Sequence, residues 1–201
     1  MSTSPIAGEH GFLVLHGWQN RRPAAHWQSW LAGRLTARGH EVTHPQLPDP
    51  DDPDLDTWLA ELRTHLTASR PRTVVCHSLA CVLWLHAAAR GLVPAPVDRV
   101  LLVAPPSGSV LEGYAQVAAF ARPPATPAHL AAAAAYTRVV AADNDPYCPD
   151  GAAAVYAEPL GLPVDVLPGE AHLDLDAGYG SWPSLLDWCL DPSNSTSVTP
   201  R

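Results

Sequence analysis

Thr73-Val74-Val75-Cys76-His77-Ser78-Leu79-Ala80-Cys81-Val82-Leu83-Trp84-Leu85 is the stretch on which the fold turns. A β-branched run stops at Ser78, and an apolar, alanine-rich segment continues to Arg90 with no turn residue between them. This pattern predicts a buried strand passing straight into a helix. A serine at such a junction sits on a sharp, strained turn with its hydroxyl lifted above the sheet. That arrangement is the nucleophile elbow, commonly written G-x-S-x-G. The turn crowds the positions two before and two after the serine, so both need small side chains. Cys76 and Ala80 stand there instead of glycines. Alanine meets the demand easily and cysteine less so. The pentapeptide gains meaning only if the rest of the chain supplies a base, an orienting acid and an oxyanion hole.

Outward from the elbow, short apolar runs recur. Phe12-Leu13-Val14-Leu15, Glu41 to His44, Arg99 to Val103, Arg138 to Ala142 and Val164 to Leu167 read as strands, most of them too uniformly apolar to have a wet face. Between them, Trp27 to Arg38, the Leu55/Trp58/Leu59/Leu62/Leu66 series, Ala152 to Leu160 and Trp182 to Leu190 show helical spacing. Alternating strand and helix predicts an α/β fold of about six parallel strands with helices on both faces. Residues 107–135 are too long for a plain connection and are expected to form helical pieces of a cap-like insert or pocket wall. Residues 1–10 read as a flexible leader, 11–190 as the domain, and 191–201, rich in Ser, Thr and Pro, as a disordered tail.

Composition narrows the chemistry. A formal charge of −8 argues against nucleic acid and against an anionic membrane surface as partners. All twelve basic residues are arginine, so Schiff-base, pyridoxal-phosphate and Walker-type phosphate chemistry lack their lysine. Cys76, Cys81, Cys148 and Cys189 fall at no metal-site spacing, and packing suits them better than a disulfide framework. The aspartates at 49, 51, 52, 54 and 56 lack the glycine and glutamate of a calcium loop; they read as a solvated turn leading into a helix cap. With no signal peptide or membrane span in view, the expectation is a cytoplasmic protein.

In parallel sheets of this kind, ligands sit beyond the C-terminal ends of the strands. Trp18, Ser78, Asp145 and His172 follow the first, third, fifth and sixth strands. A serine hydroxyl needs an adjacent base whose tautomer and charge an acid stabilises. His172, in the short turn Pro168-Gly169-Glu170-Ala171-His172, is the candidate base. Asp174 and Asp176 beside it do not make a metal site without a second histidine at matching spacing. Asp145 and Asp143 compete as the acid; Asp145, before Pro146 and Tyr147, is preferred, with Asp143 and Asn144 shaping the turn. The oxyanion hole needs two backbone N–H groups, assigned to Leu79 and Trp18. Gly17 allows close backbone approach there, His16 braces the loop, and His77 reads as a packing residue. Trp18, Tyr147 and Trp182 are candidates for the substrate-pocket wall, though each tryptophan is equally readable as packing.

His16-Gly17-Trp18, His26-Trp27-x-x-Trp30-Leu31, the Cys76 to Ala80 elbow, Asp143-Asn144-Asp145-Pro146-Tyr147 and Ala171-His172 with Gly178-Tyr179-Gly180-x-Trp182-Pro183 span roughly residues 11–190. In these motifs the chain resembles the small serine hydrolases related to retinoblastoma-binding protein 9 and the bacterial YdeN-type proteins. The resemblance implies a compact α/β-hydrolase fold and a catalytic triad of Ser78, Asp145 and His172. It also implies carboxylesterase-like activity on small acyl substrates. Relatives usually carry Gly or Ala at position 76 and Gly at position 80, so this elbow departs from the pattern.

The expectation is therefore a serine hydrolase cleaving small acyl esters or thioesters through an acyl-enzyme intermediate, with no metal and no cofactor. The alternative is a catalytically weak hydrolase-fold module that binds a protein partner, motivated by the altered elbow.

Overall fold

Six apolar segments pair into one parallel sheet. They are β1 (Phe12–Leu15), β2 (Val42–Thr43), β3 (Thr73–His77), β4 (Val97–Val103), β5 (Ala134–Ala142) and β6 (Val164–Leu167), in the order β2-β1-β3-β4-β5-β6. The computed structural model describes residues 11–201; the expected leader, 1–10, lies outside the described residues. The helices are α1 (Trp27–Thr36), α2 (Leu55–Ser69), α3 (Leu79–Ala89), α4 (Gly108–Leu111), α5 (Pro127–Ala133), α6 (Glu158–Leu160) and α7 (Pro183–Leu190).

Side chains of a strand alternate between faces, and in β1, β3 and most of β4 both faces are dry. Leu13, Leu15, Val74, Cys76, Val100 and Leu102 pack with α2, α3 and α5 on one side. Phe12, Val14, Val75, Leu101 and Val103 pack with α1 and α7 on the other. Every residue of α3 from Leu79 to Ala88 is buried, because the sheet, α2 and α5 enclose the helix. That is why its sequence is apolar on all sides rather than striped. By contrast α2 buries only Leu55, Trp58, Leu59, Leu62 and Leu66, and Asp54 caps it by accepting the Thr57 N–H at 2.8 Å. The acidic run thus ends in a cap, and Asp51 and Asp56 pair with Arg21 and Arg90.

The architecture agrees with the sequence expectation, and several boundaries move. β2 is two residues long, paired only through Phe12–Val42 and Leu13–Thr43. β5 begins at Ala134, four residues early, because Val97 of β4 pairs with it. The Ala131–Ala135 run is therefore split between helix and strand, a choice that methyl side chains alone do not encode. The insert 107–135 does form helical pieces. Only its first part faces the sheet's C-terminal end; Val117, Phe120, Leu130 and Ala133 join the core around α3. The 152–160 helix contains a π-helical turn, Ala153–Ala157, ahead of α6.

The tail is the clearest correction. Residues 191–201 were expected to be disordered, yet they lie against β5, β6 and α7. Arg138 donates to the carbonyls of Thr196 (2.9 Å) and Asn194 (3.3 Å), and Asp165 accepts the Val198 N–H at 2.9 Å. Trp182 and Ser184 both donate to the Thr199 carbonyl, and Val198 is buried. Composition missed this because the partners of the polar tail lie as many as 92 residues away, where Arg99 donates to the Asp191 carbonyl. No helix among the described residues is long and apolar enough to cross a membrane. All four cysteines are free and buried.

Candidate active site

Ser78 occupies the step between β3 and α3 with φ 56° and ψ −124°, a conformation a non-glycine residue adopts only where its surroundings force it. Those surroundings are explicit. The Ser78 N–H donates to the Val103 carbonyl at 2.9 Å, and α3 is locked inside the core. Cys76 and Ala80 are fully buried on the α2/α3 side, so the cysteine is accommodated as a small apolar side chain. Burial pushes the Cys76 and Cys81 thiols well above their ordinary range. Both stay neutral, and neither competes as a nucleophile.

Three candidate side chains converge at this end of the sheet. His172 Nε2 lies 2.9 Å from Ser78 Oγ, and His172 Nδ1 lies 2.8 Å and 3.0 Å from the two carboxylate oxygens of Asp145. A carboxylate only accepts, so Nδ1 carries the proton and Nε2 offers its lone pair to the serine hydroxyl. Asp145 is 2% exposed and also accepts the Tyr147 N–H at 2.8 Å. Asp143 does not reach the histidine. Its carboxylate accepts the Gly169 N–H and the Asn144 amide oxygen accepts the Ala171 N–H, both at 2.8 Å. These bonds hold the loop that carries His172, whereas the sequence suggested only that the two residues shape their own turn. On either side of His172, Ala171 and Leu173 have φ of 49° and 53°.

The loop after β1 completes the arrangement. A Cβ on Gly17 would stand 2.7 Å from Ser78 Cβ, so only glycine lets this loop touch the elbow. His16 Nδ1 donates to the Gly17 carbonyl at 2.8 Å, while its Nε2 accepts from the Leu47 N–H at 2.8 Å. Burial lowers its pKa to about 4 and keeps it neutral, a brace rather than a reactant. Trp18 and Leu79 line the same cavity as Ser78, and among the described residues neither backbone N–H finds an acceptor. The Trp18 indole donates to the Asp51 carbonyl at 3.0 Å.

The cavity above Ser78 measures about 410 Å³. Trp18 and Tyr147 line it, Tyr147 with its ring 4.4 Å from that of His172. Trp182 does not. It is fully buried, packed edge-on against Trp27 and Tyr179, with its N–H on Thr199. Its aromatic payload serves the core beneath the His172 loop. The wall is built instead by Pro106, Val110, Leu111, Tyr114 and Leu175, which sequence reading did not single out. For Val110, Leu111 and Tyr114 the signal was the length of the 107–135 insert; Pro106 and Leu175 lie outside it and gave none. Asp174 and Asp176 also line the cavity, but among the described residues no three His, Cys, Asp or Glu side chains are grouped to hold a metal ion.

This sheet, with its strained serine after the third strand, defines a protein of the α/β-hydrolase fold, and solved structures agree. The chain belongs to the serine hydrolase family, whose model matches residues 12–189. YdeN-type proteins are among those it is similar to. A stretch of 69 residues is 33% identical to the YdeN protein of Bacillus subtilis; the match spans 34% of this chain and 36%, about a third, of that relative. The crystal structure of the B. subtilis ydeN gene product is similar with TM-score 0.79 at 23% identity, covering 92% of this chain and 100% of that one. A YdeN-like hydrolase from Pectobacterium atrosepticum gives 0.72 at 21% identity, covering 92% and 91%. The esterase domain of a Rhodothermus marinus protein gives 0.60 at 12% identity, covering 86% and 82%.

Proposed function

We propose that this chain hydrolyses small acyl esters or thioesters by acyl transfer through Ser78. The observation that carries the reading is the His172 imidazole, bonded to Ser78 Oγ by one nitrogen and to Asp145 by the other. As Ser78 Oγ attacks the acyl carbonyl, His172 Nε2 takes its proton, and Asp145 stabilises the imidazolium. The Trp18 and Leu79 N–H groups donate to the oxyanion, helped by the N-terminus of α3. The imidazolium then protonates the departing alcohol or thiol as the tetrahedral intermediate collapses to an acyl-Ser78 ester. Water, deprotonated by His172, releases the carboxylic acid and restores the serine.

The cavity volume and its apolar wall favour a small acyl group, and none of these steps calls on a cofactor or metal. The reading places the reaction in the cytoplasm, where the four free thiols stay reduced. A scaffold retained only to bind a protein partner would not need a base and an acid in register with the serine. The test is turnover of p-nitrophenyl esters from acetate to octanoate. Activity falling with chain length and absent from Ser78→Ala supports the proposal; equal activity in Ser78→Ala overturns it.

A further inference from the structure

The residue directly before Ser78 has no part in the steps above, yet its surroundings are unusually specified. His77 ends β3 and is 3% exposed. Its Nε2 lies 3.1 Å from the backbone carbonyl oxygen of His172. A carbonyl only accepts, so the His77 proton sits on Nε2, leaving Nδ1 bare; among the described residues the buried Nδ1 has no partner. The His77 ring stands edge-on to Trp27 with centroids 5.5 Å apart, and 5.2 Å from the His172 ring. Trp27 in turn donates from Nε1 to the Leu173 carbonyl at 2.8 Å. Two successive carbonyls of the base-bearing loop are thus each held by a buried ring N–H. They lie where Ala171 and Leu173 hold left-handed backbone, a conformation that reverts unless fixed from outside.

We propose that His77 is a positioning residue for His172. Its Nε2–H holds the His172 carbonyl and so sets where the imidazole stands between Ser78 and Asp145. The proposal rests on the reading of Ser78, His172 and Asp145 as the reacting set. Its logic is geometric: residue 77 is bonded covalently to the nucleophile's residue, so one hydrogen bond registers the base loop directly against the elbow. Without it, the serine-to-histidine distance would depend on longer routes, through Trp27 of α1 to the Leu173 carbonyl and through β4, β5 and β6. The His77 environment suits the role. The ring lies 5.3 Å from His26, whose Nδ1 accepts the Gln28 N–H at 3.2 Å. Burial holds both rings neutral, so neither becomes a second cation beside His172 when it takes up the serine proton.

The test compares His77→Gln with His77→Asn in the full chain. Both put an amide into the same buried site, and only glutamine carries its NH2 to the place of the histidine Nε2. The Gln variant is expected to keep kcat for p-nitrophenyl acetate within about fivefold of wild type. The Asn variant is expected to lose about 100-fold in kcat with KM unchanged, the size of effect that a misplacement near 1 Å produces. Equal kcat in the two variants at equal folded fraction would overturn the proposal. A measurement on the wild type needs no variant to fold: ¹⁵N shifts must show His77 as the neutral Nε2–H tautomer from pH 5 to 8. The Nδ1–H tautomer, or titration in that range, would also overturn it. Failure of the catalytic reading is separately visible, because hydrolysis would then survive in Ser78→Ala. The His77 tautomer, and the shift of the His172 ring signals in Asn but not in Gln, would still decide whether His77 holds His172.

Discussion

A β-carbon on Gly17 would stand 2.7 Å from Ser78 Cβ and 3.1 Å from the His77 carbonyl oxygen. The β1 loop and the elbow are therefore in direct contact, and the obstacles are backbone and a short side chain rather than the end of a flexible one. Gly17→Ala is expected to destabilise the protein by about 1–3 kcal/mol through overpacking. It should also lower kcat by about 100-fold by shifting the serine. Urea unfolding together with ester hydrolysis checks both; an unchanged kcat would show that the loop yields and the elbow does not.

Asp145 and Asp143 have different jobs in this geometry. Asp145→Asn leaves the His172 Nδ1–H competing with an amide and favours the wrong tautomer, so hydrolysis should fall by about 10³–10⁴-fold. Asp143→Asn keeps an oxygen for the Gly169 N–H and should stay within about threefold. Initial rates on one ester rank the two, and the reverse order would reassign the acid.

Buried histidines tie stability to pH. His16 and His26 have folded pKa values lowered to about 4 by burial, against an unfolded value of about 6.5. Between those values the unfolded chain binds protons that the native chain does not. Stability therefore rises with pH: it is fully present above about 6.5, declines as pH falls towards 4, and levels off below. Each ring contributes a slope of up to about 1.4 kcal/mol per pH unit. Urea midpoints measured from pH 7.5 to 5 should fall steadily on the acid side. A midpoint constant across that range would mean the rings charge in the native state.

Deleting residues 192–201 removes the buried Val198 and the hydrogen bonds the tail exchanges with Arg138, Asp165 and Trp182. Arg138 and Asp165 remain paired at 3.0 Å, so no buried charge is orphaned. Burying one valine is worth about 1.5–3 kcal/mol, which sets the size of the expected loss. The folded fraction should keep wild-type kcat. Chemical denaturation of the full and shortened chains decides it, and identical midpoints would mean the tail does not dock.

The sequence made the sheet legible because its inner strands are buried on both faces and read as largely apolar runs, while the edge strands β2 and β6 are only partly buried. It made Ser78, Asp145 and His172 legible because each follows a strand at the same end of the sheet. What stayed hidden depended on neighbours far along the chain. Methyl-only side chains let β4 place the start of β5, and a polar tail looked unstructured until Arg138 and Asp165 met it. Trp182 illustrates the same limit. A tryptophan near a candidate base reads equally as pocket wall or as core, and only Trp27, Tyr179 and Thr199 decide for the core. His77 looked like packing because the carbonyl it holds lies 95 residues away.

If Ser78 is an activated nucleophile, a fluorophosphonate probe will add to it, and intact mass after treatment reads this out. One adduct per chain is expected, mapped to Ser78, absent from Ser78→Ala and strongly slowed in His172→Ala. Folded wild-type protein that stays unlabelled, or a label that persists in Ser78→Ala, would contradict it.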